Sequence, residues 1–229
     1  MASLTIIMPV FNERATVLAA IDDALTAELP AAERELVIVD DGSTDGTRDI
    51  LASADLPANA RVLLHERNKG KGAAIRTGLQ DARCDFTCIL DADLEYKAAD
   101  LADLLEPLLD GDAKVVYGTR MWSSHAAYSF WYVMGNKFVT FATNLLYNCW
   151  ISDLMTCHKI METSLFKSLR LRAPGFAIEA EITARVLRSG QRIYEVPIVY
   201  RARTRDAGKK LTPFDGARVL WTLARCRVS

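Results

Sequence analysis

The sequence predicts an α/β protein built on a largely parallel sheet, and three observations carry that expectation. Short apolar runs alternate with segments whose apolar residues recur at helical spacing, the runs end in acidic or turn-forming clusters, and half of the 229 residues are apolar, enough for one sizeable core. The first run, Leu4 to Val10, reads as a strand, and Val17, Ile21 and Leu25 after it mark a helix. The pattern returns with Glu35 to Val39 as strand and Thr47 to Ala52 as helix. Arg61 to His65 and Phe86 to Leu90 are further strands, with a helix over Lys71 to Ala82 between them. Leu101, Leu104, Leu105 and Leu108 predict another amphipathic helix, Lys114 to Tyr117 a strand, and Ile178, Ile182, Val186 and Leu187 a helix closed by Gly190.

The charge balance, 28 Lys plus Arg against 29 Asp plus Glu, leaves no global basic field for a nucleic acid. Five cysteines, Cys84, Cys88, Cys149, Cys157 and Cys226, lack paired metal-ligand spacing and favour a reduced compartment over a disulfide framework. The first residues show no basic leader region and their apolar run stops at Pro9, so the expected location is cytoplasmic.

In parallel sheets ligands gather beyond the carboxyl ends of the strands, which places Asn12-Glu13, Asp40-Asp41 and Asp91-Ala92-Asp93 around one crevice. Such an acidic crevice repels phosphates unless a cation lies between, so Mg²⁺ or Mn²⁺ is expected. Asp91, Asp93 and Glu95 alternate, and an extended backbone would bring all three carboxylates to one face as metal ligands. The metal would act as a Lewis acid on a departing nucleotide. Two glycine-containing segments carry no further nucleotide signature: Asp41 to Gly46 lacks the dinucleotide-fold spacing, and Asn68-Lys69-Gly70-Lys71-Gly72 lacks that of a phosphate loop. Asp45 reads as a helix N-cap, which leaves Asp40 and Asp41 as the ligand candidates.

Pro9-Val10-Phe11-Asn12-Glu13, Val39 to Thr47, Asn68 to Gly72 and Asp91-Ala92-Asp93 together resemble the family-2 glycosyltransferases of GT-A fold. Tyr117-Gly118-Thr119-Arg120, Asp153 to Lys159, Phe176 to Glu181 and Glu195 to Ile198 resemble the polyprenyl-phosphate sugar synthases within it, of the dolichyl-phosphate mannose synthase kind. The resemblance implies one GT-A catalytic domain over 1–229, with an amphipathic helix near 128–147 and a basic active-site loop plus C-terminal amphipathic helix at 201–226. It implies a nucleotide-sugar donor held by Pro9, Phe11, Glu13, Asp40, Asp41, Lys71, Asp91, Ala92 and Asp93, with Asp91, Asp93 and Glu95 at the metal. Glu95 departs from the Gln that many mannose synthases of this type carry, and UDP and GDP stay equally open as the donor's nucleotide.

Arg201, Arg203, Arg205, Lys209 and Lys210 form a basic cluster after a strand expected to end at Tyr200. The resemblance implies that this segment closes over the site, with Arg203, Lys209 and Arg120 contacting donor and acceptor phosphates. The forked guanidinium and the compact ammonium both suit phosphate. Asp153 either orients a cation, touches the sugar or is structural. Phe130, Met134, Phe138, Phe141 and Leu145 form an apolar stripe on one predicted helix; such stripes are more often core, whereas the resemblance favours a membrane interface. The segment is too polar to span, so any membrane attachment is peripheral or through a partner subunit. A helix starting at Thr212-Pro213 is expected at the end of the chain.

The resulting expectation is an inverting transfer of a hexose from a UDP- or GDP-sugar to the phosphate of a polyprenyl phosphate, a nucleophile that needs no general base. Transfer to a hydroxyl of a soluble or lipid-linked acceptor is the alternative, with Asp153, Glu179 or Glu181 as base. A nucleotide-sugar-binding subunit without catalysis is the third reading.

Overall fold

The computed structural model of the protein describes residues 2–121, 130–201 and 213–228. Among the described residues seven strands form one sheet in the order β3-β2-β1-β4-β6-β5-β7. These are β1 (Ser3–Val10), β2 (Glu33–Asp40), β3 (Ala60–Leu64), β4 (Phe86–Ile89), β5 (Val115–Thr119), β6 (Lys159–Glu162) and β7 (Tyr194–Pro197). The helices are α1 (Val17–Thr26), α2 (Thr47–Ser53), α3 (Lys71–Asp81), α4 (Leu101–Leu109), α5 (Phe130–Tyr147), α6 (Thr163–Ser168), α7 (Ile178–Arg188) and α8 (Pro213–Val228).

The alternation along β1 explains the layering. Leu4, Ile6, Met8 and Val10 face one core, which α1 and α4 complete with Ile21, Ala24, Leu101, Leu104 and Leu105. Ile7 faces the other, filled by Ile75 and Leu79 of α3, Phe166 of α6 and Ile178 and Ile182 of α7. Residues of opposite parity on a strand leave opposite faces, so one eight-residue strand organises both layers.

Strand β6 is the exception to the parallel sheet. It runs antiparallel to both β4 and β5, whereas β1, β2, β3 and β4 are mutually parallel neighbours and β7 is parallel to β5. Its reversal brings its first residue, Lys159, to the edge where the parallel strands end. The 151–158 loop therefore joins the loops that follow β1, β2, β4, β5 and β7. The order also reverses at β1/β4, the switch point where α/β crevices form.

Strand β6 and helix α6 were not foreseen: β6 sets only Ile160 and Met161 between Lys159 and Glu162, too short an apolar run to read, and the six residues of α6 are too few to display a period. The last strand ends at Pro197, and Ile198 to Tyr200 continue without ladder pairing, three residues short of the expected strand end. On α5 the stripe left open between core and interface faces outward. Phe130, Phe138, Phe141 and Leu145 are 64%, 59%, 64% and 73% exposed, and the helix buries Val139, Thr140 and Thr143 instead. Val139, with Ile151 and Leu154, meets Ala180 and Ala184 of α7 and Val219 and Leu223 of α8. Helix α8 begins at Pro213, where a missing amide proton costs nothing.

Gly72 tests how closely the layers meet. A β-carbon there would lie 2.1 Å from the carbonyl oxygen of Ala173. Alanine is favoured over glycine inside a helix by about 1 kcal/mol, whereas overpacking costs about 1–3 kcal/mol, and a backbone oxygen yields less than a side chain. Gly72→Ala is therefore expected to destabilise the protein, with a thermal midpoint several degrees below that of the parent in a calorimetric scan.

Candidate active site

The crevice is assembled by loops that hydrogen-bond to one another. Asn12, at φ 54°, receives nothing from the sheet, and its amide donates to Ser43 Oγ at 2.9 Å while its side-chain oxygen accepts the Thr44 amide at 2.8 Å. The Glu13 amide donates to Thr47 Oγ1 at 3.0 Å, and the Glu13 carboxylate accepts the Thr16 hydroxyl at 3.0 Å. The end of β1 and the loop after it, bearing Pro9, Phe11 and Glu13, and the end of β2 with its loop, bearing Asp40 and Asp41, thus form one wall. Asp45 is not the N-cap of α2, a position Gly46 takes at φ 96°, yet its carboxylate accepts the Thr47 amide at 3.0 Å.

Asp40 and Asp41 are both buried and both engaged. Asp40 pairs with Arg48 at 2.7 Å and accepts the Ser43 amide at 3.2 Å. Asp41 lies 2.7 Å from His65 Nδ1 and accepts the amides of Lys69 and Gly70 at 2.9 and 2.7 Å, just before α3 begins. It supplies the anion that the amide-rich start of that helix favours. His65 is held at its other nitrogen by Thr77 Oγ1 at 2.9 Å, a bracing role the sequence did not signal.

The centre of the site is a buried chain of opposite charges. Lys71 Nζ lies 2.8 Å from Asp91 Oδ2 and 3.2 Å from Glu179 Oε1, and Lys159 Nζ lies 2.5 Å from Glu179 Oε2. Lys159 also donates to the carbonyls of Leu154 and Thr156 at 3.0 and 2.8 Å. Burial alone would lift the Asp91 carboxyl, but the Lys71 charge and hydrogen bonds from Cys157 and Lys71 turn the net shift downward. Burial opposes the Lys71 charge in turn, and Asp91, Cys157 and Glu179 raise its pKa well above the ordinary lysine value. His158 is fully buried, with neither ring nitrogen hydrogen-bonded, and burial holds its pKa at about 4, so it is neutral. Its ring lies 4.7 Å from that of Tyr96.

A second ion pair flanks the first. Arg120, directly after β5, forks onto Asp153 with contacts of 2.6 and 2.8 Å, and Asn136 of α5 donates to Asp153 at 3.2 Å. Burial raises the Asp153 carboxyl, and Arg120 with Asn136 more than reverses this, leaving it below the usual carboxylate value. Asp153 therefore orients Arg120, while Lys159 is held by Glu179. Glu195 accepts the Ser152 amide at 2.9 Å and the Asp153 amide at 3.3 Å, fixing the loop that carries the pair. Arg203 and Lys209 lie outside the described residues.

The extended backbone assumed for the Asp91, Asp93 and Glu95 set is not the one the chain adopts. Leu94 sits at φ 59°, so the chain turns between Asp93 and Glu95 where an extended backbone was needed. Asp91 is committed to Lys71, Asp93 Oδ1 accepts the Glu95 amide at 3.0 Å, and Glu95 Oε2 accepts the Tyr200 hydroxyl at 2.6 Å. Among the described residues no three His, Cys, Asp or Glu side chains converge as a metal cage. The donor chemistry fits a different arrangement. Mg²⁺ is commonly held by one or two carboxylates and completed by substrate phosphates and water, and Asp93 offers a hard oxygen of that kind.

With this geometry in view, the comparisons with known proteins decide the family. The model of glycosyl transferase family 2 matches residues 5–170. The chain belongs to glycosyl transferase family 2. Among related family-2 proteins, the glycosyltransferase AglJ of Haloferax volcanii is 26% identical over 225 residues, covering 97% of this chain and 71% of that protein. A dolichyl-phosphate beta-glucosyltransferase of Dictyostelium discoideum is 26% identical, covering 93% and 70%. Glucosyl-3-phosphoglycerate synthase of Mycobacterium tuberculosis, solved with Mn²⁺, UDP and glucosyl-3-phosphoglycerate, superposes with a TM-score of 0.72 at 22% identity, over 99% of this chain and 80% of that one. The fold of this family-2 chain is GT-A-like, as the motifs led us to expect.

The Lys71–Asp91 pair gives a test with a sign. Removing one partner of a buried pair costs about 3–5 kcal/mol because the other charge is left behind. In Lys71→Met the abandoned Asp91 carboxyl is pushed up by burial, so the folded state binds its proton more tightly than the unfolded chain does. Stability then falls as pH rises through the window above the unfolded value. Denaturant titrations should show a larger loss relative to the parent at pH 7 than at pH 5; an equal loss at both would contradict the pairing.

Proposed function

We propose that the protein moves a hexose, with inversion, from a UDP- or GDP-sugar to the phosphate of a polyprenyl phosphate. One observation carries the choice of acceptor: the carboxylates that a hydroxyl acceptor would require as base are already committed. Asp153 is forked to Arg120, Glu179 is shared by Lys71 and Lys159, and Glu181 accepts the amides of Arg172 and Ala173 at 2.7 and 2.6 Å and pairs with Arg185. A phosphate nucleophile is already ionised and needs only cations to orient it. The named acceptor of the Dictyostelium relative, a dolichyl phosphate, supports the same reading.

In this reading the walls bearing Pro9, Phe11, Glu13, Asp40 and Asp41 receive the nucleoside, and Lys71, Asp91, Ala92 and Asp93 face the donor phosphates. Asp93 would hold Mg²⁺ or Mn²⁺ together with the diphosphate, as the Mn²⁺ and UDP found in the mycobacterial structure support. That cation, when bound, supplies charge stabilisation to the leaving nucleotide. Arg120, held by Asp153, presents a guanidinium to the donor and acceptor phosphates, and Arg203 and Lys209 complete that phosphate clamp.

No helix among the described residues is long and apolar enough to cross a membrane. The exposed aromatic stripe of α5 supports peripheral attachment at the cytoplasmic face, because Asn136 ties the same helix to Asp153. The domain reading stands with this proposal: one catalytic unit over 1–229.

Turnover of UDP- and GDP-hexoses with Mg²⁺ or Mn²⁺, with and without a short polyprenyl phosphate, tests the proposal. Lipid-dependent appearance of a sugar-bearing lipid is expected, and nucleotide release indifferent to the lipid would overturn it. Asp93→Asn should abolish cation-dependent turnover in a protein that still unfolds cooperatively. Trp131→Glu with Phe138→Glu should weaken flotation with lipid vesicles at least tenfold while sparing nucleotide binding in solution.

A further inference from the structure

The turn after Asp93 and the strand exit after β7 are joined by a contact that nothing in the catalytic reading above uses. Glu95 Oε2 accepts the Tyr200 hydroxyl at 2.6 Å, the length of a charge-assisted bond, and the Glu95 carbonyl accepts the Arg201 amide at 2.9 Å. Tyr200 is 7% exposed although it follows the ladder's end, so packing and not strand pairing fixes it. The Arg120 guanidinium lies over its ring, 4.8 Å from the centroid, within cation–π range. Tyr96, next to Glu95 in sequence, packs its ring against that of Tyr200 at 5.1 Å and a 48° tilt. Arg120 is thus held at its edge by Asp153 and across its face by Tyr200.

We propose that Tyr200 is a positioning residue for Arg120 and that Glu95 acts through Tyr200, as the acceptor that fixes its ring, and not as a ligand of the divalent cation. The inference rests on the reading of Arg120 as a phosphate-binding cation. It explains why a carboxylate stands at position 95 while its side chain is turned onto a phenol: the positive φ at Leu94 rotates position 95 away from Asp93, and the Asp93 carboxylate stabilises that turn through the Glu95 amide. A glutamine would still accept the phenol proton through its carbonyl oxygen; an alanine would not.

The test is a double-mutant cycle read by calorimetric binding of UDP and of GDP to the full chain at several Mn²⁺ concentrations, with no acceptor present. Failure of lipid transfer therefore leaves it intact. Glu95→Ala and Tyr200→Phe should each weaken binding of the preferred nucleotide about tenfold, or about 1.4 kcal/mol, and the double variant should be no weaker than either. Glu95→Gln should stay within about threefold of the parent. Tyr200→Leu, which removes the ring as well, should lose more than Tyr200→Phe. The Mn²⁺ concentration for half-maximal binding should stay within twofold throughout, with thermal midpoints confirming folded variants. A tenfold shift of that concentration in Glu95→Ala and not in Tyr200→Phe would make Glu95 a metal ligand and overturn the proposal. Additive losses in the double variant, or equal losses for Tyr200→Phe and Tyr200→Leu, would overturn it as well.

Discussion

Lys71 pairs with two largely buried carboxylates that reach it from different parts of the fold, and the rest of the site is arranged around that fact. Asp91 arrives from the end of β4 and Glu179 from the first turn of α7, while Lys71 itself opens α3. An isolated charge at any of these positions would cost several kcal/mol of desolvation, so each element is tied to the others by the penalty of separating them. Lys159 extends the chain to β6, and its two bonds to backbone carbonyls hold the 154–156 loop against the same centre. The apolar layers set the elements roughly in place, and this network fixes their carboxylates.

The reversed strand β6 makes the network possible. A parallel strand at that place in the sheet would deliver its carboxyl end to the crevice, and Lys159, Cys157 and the Asp153 loop would then lie at the opposite edge. Running antiparallel, it contributes its amino end, so the residues before it become site residues. A central antiparallel strand thus adds a loop to the ligand-binding edge that the rule for parallel sheets does not supply.

The sequence exposed what repeats and concealed what depends on distant partners. Strands β1, β2 and β4 and helices α3, α4 and α7 were legible within a residue or two, because each carries a period or an apolar run longer than its surroundings. Strand β6 was hidden because it sets only two apolar residues between a lysine and a glutamate, and with it the Lys159–Glu179 pair, whose members are twenty positions apart. Asp91 and Asp93 stood out as an acidic pair after a strand. What they touch was not legible: an amine from α3 for one, and a turn governed by the φ of Leu94 for the other. The alternation that pointed to three metal ligands assumed an extended backbone, and one left-handed residue was enough to send Glu95 elsewhere. His65 and Tyr96 gave no signal of their roles, and the motif around Glu195 did not say what it holds, since each works through contacts to residues far along the chain.

The aromatic stripe of α5 shows the same limit from the surface side. Its spacing is that of a helix face, and spacing alone does not say which face a fold covers. Helix α7 and helix α8 meet α5 along Val139 and Thr143, a narrow and partly polar strip, and the larger apolar residues are left outward. A helix that buries its weaker face gives up apolar burial worth roughly 1.5–3 kcal/mol per large side chain. The threonines bury where they can bond: Thr143 Oγ1 donates to the Val139 carbonyl and Thr140 Oγ1 accepts the Leu154 amide, so the inward strip serves the 151–158 loop and through it Asp153. The orientation of α5 follows from the needs of the charged site, and the exposed stripe is its consequence.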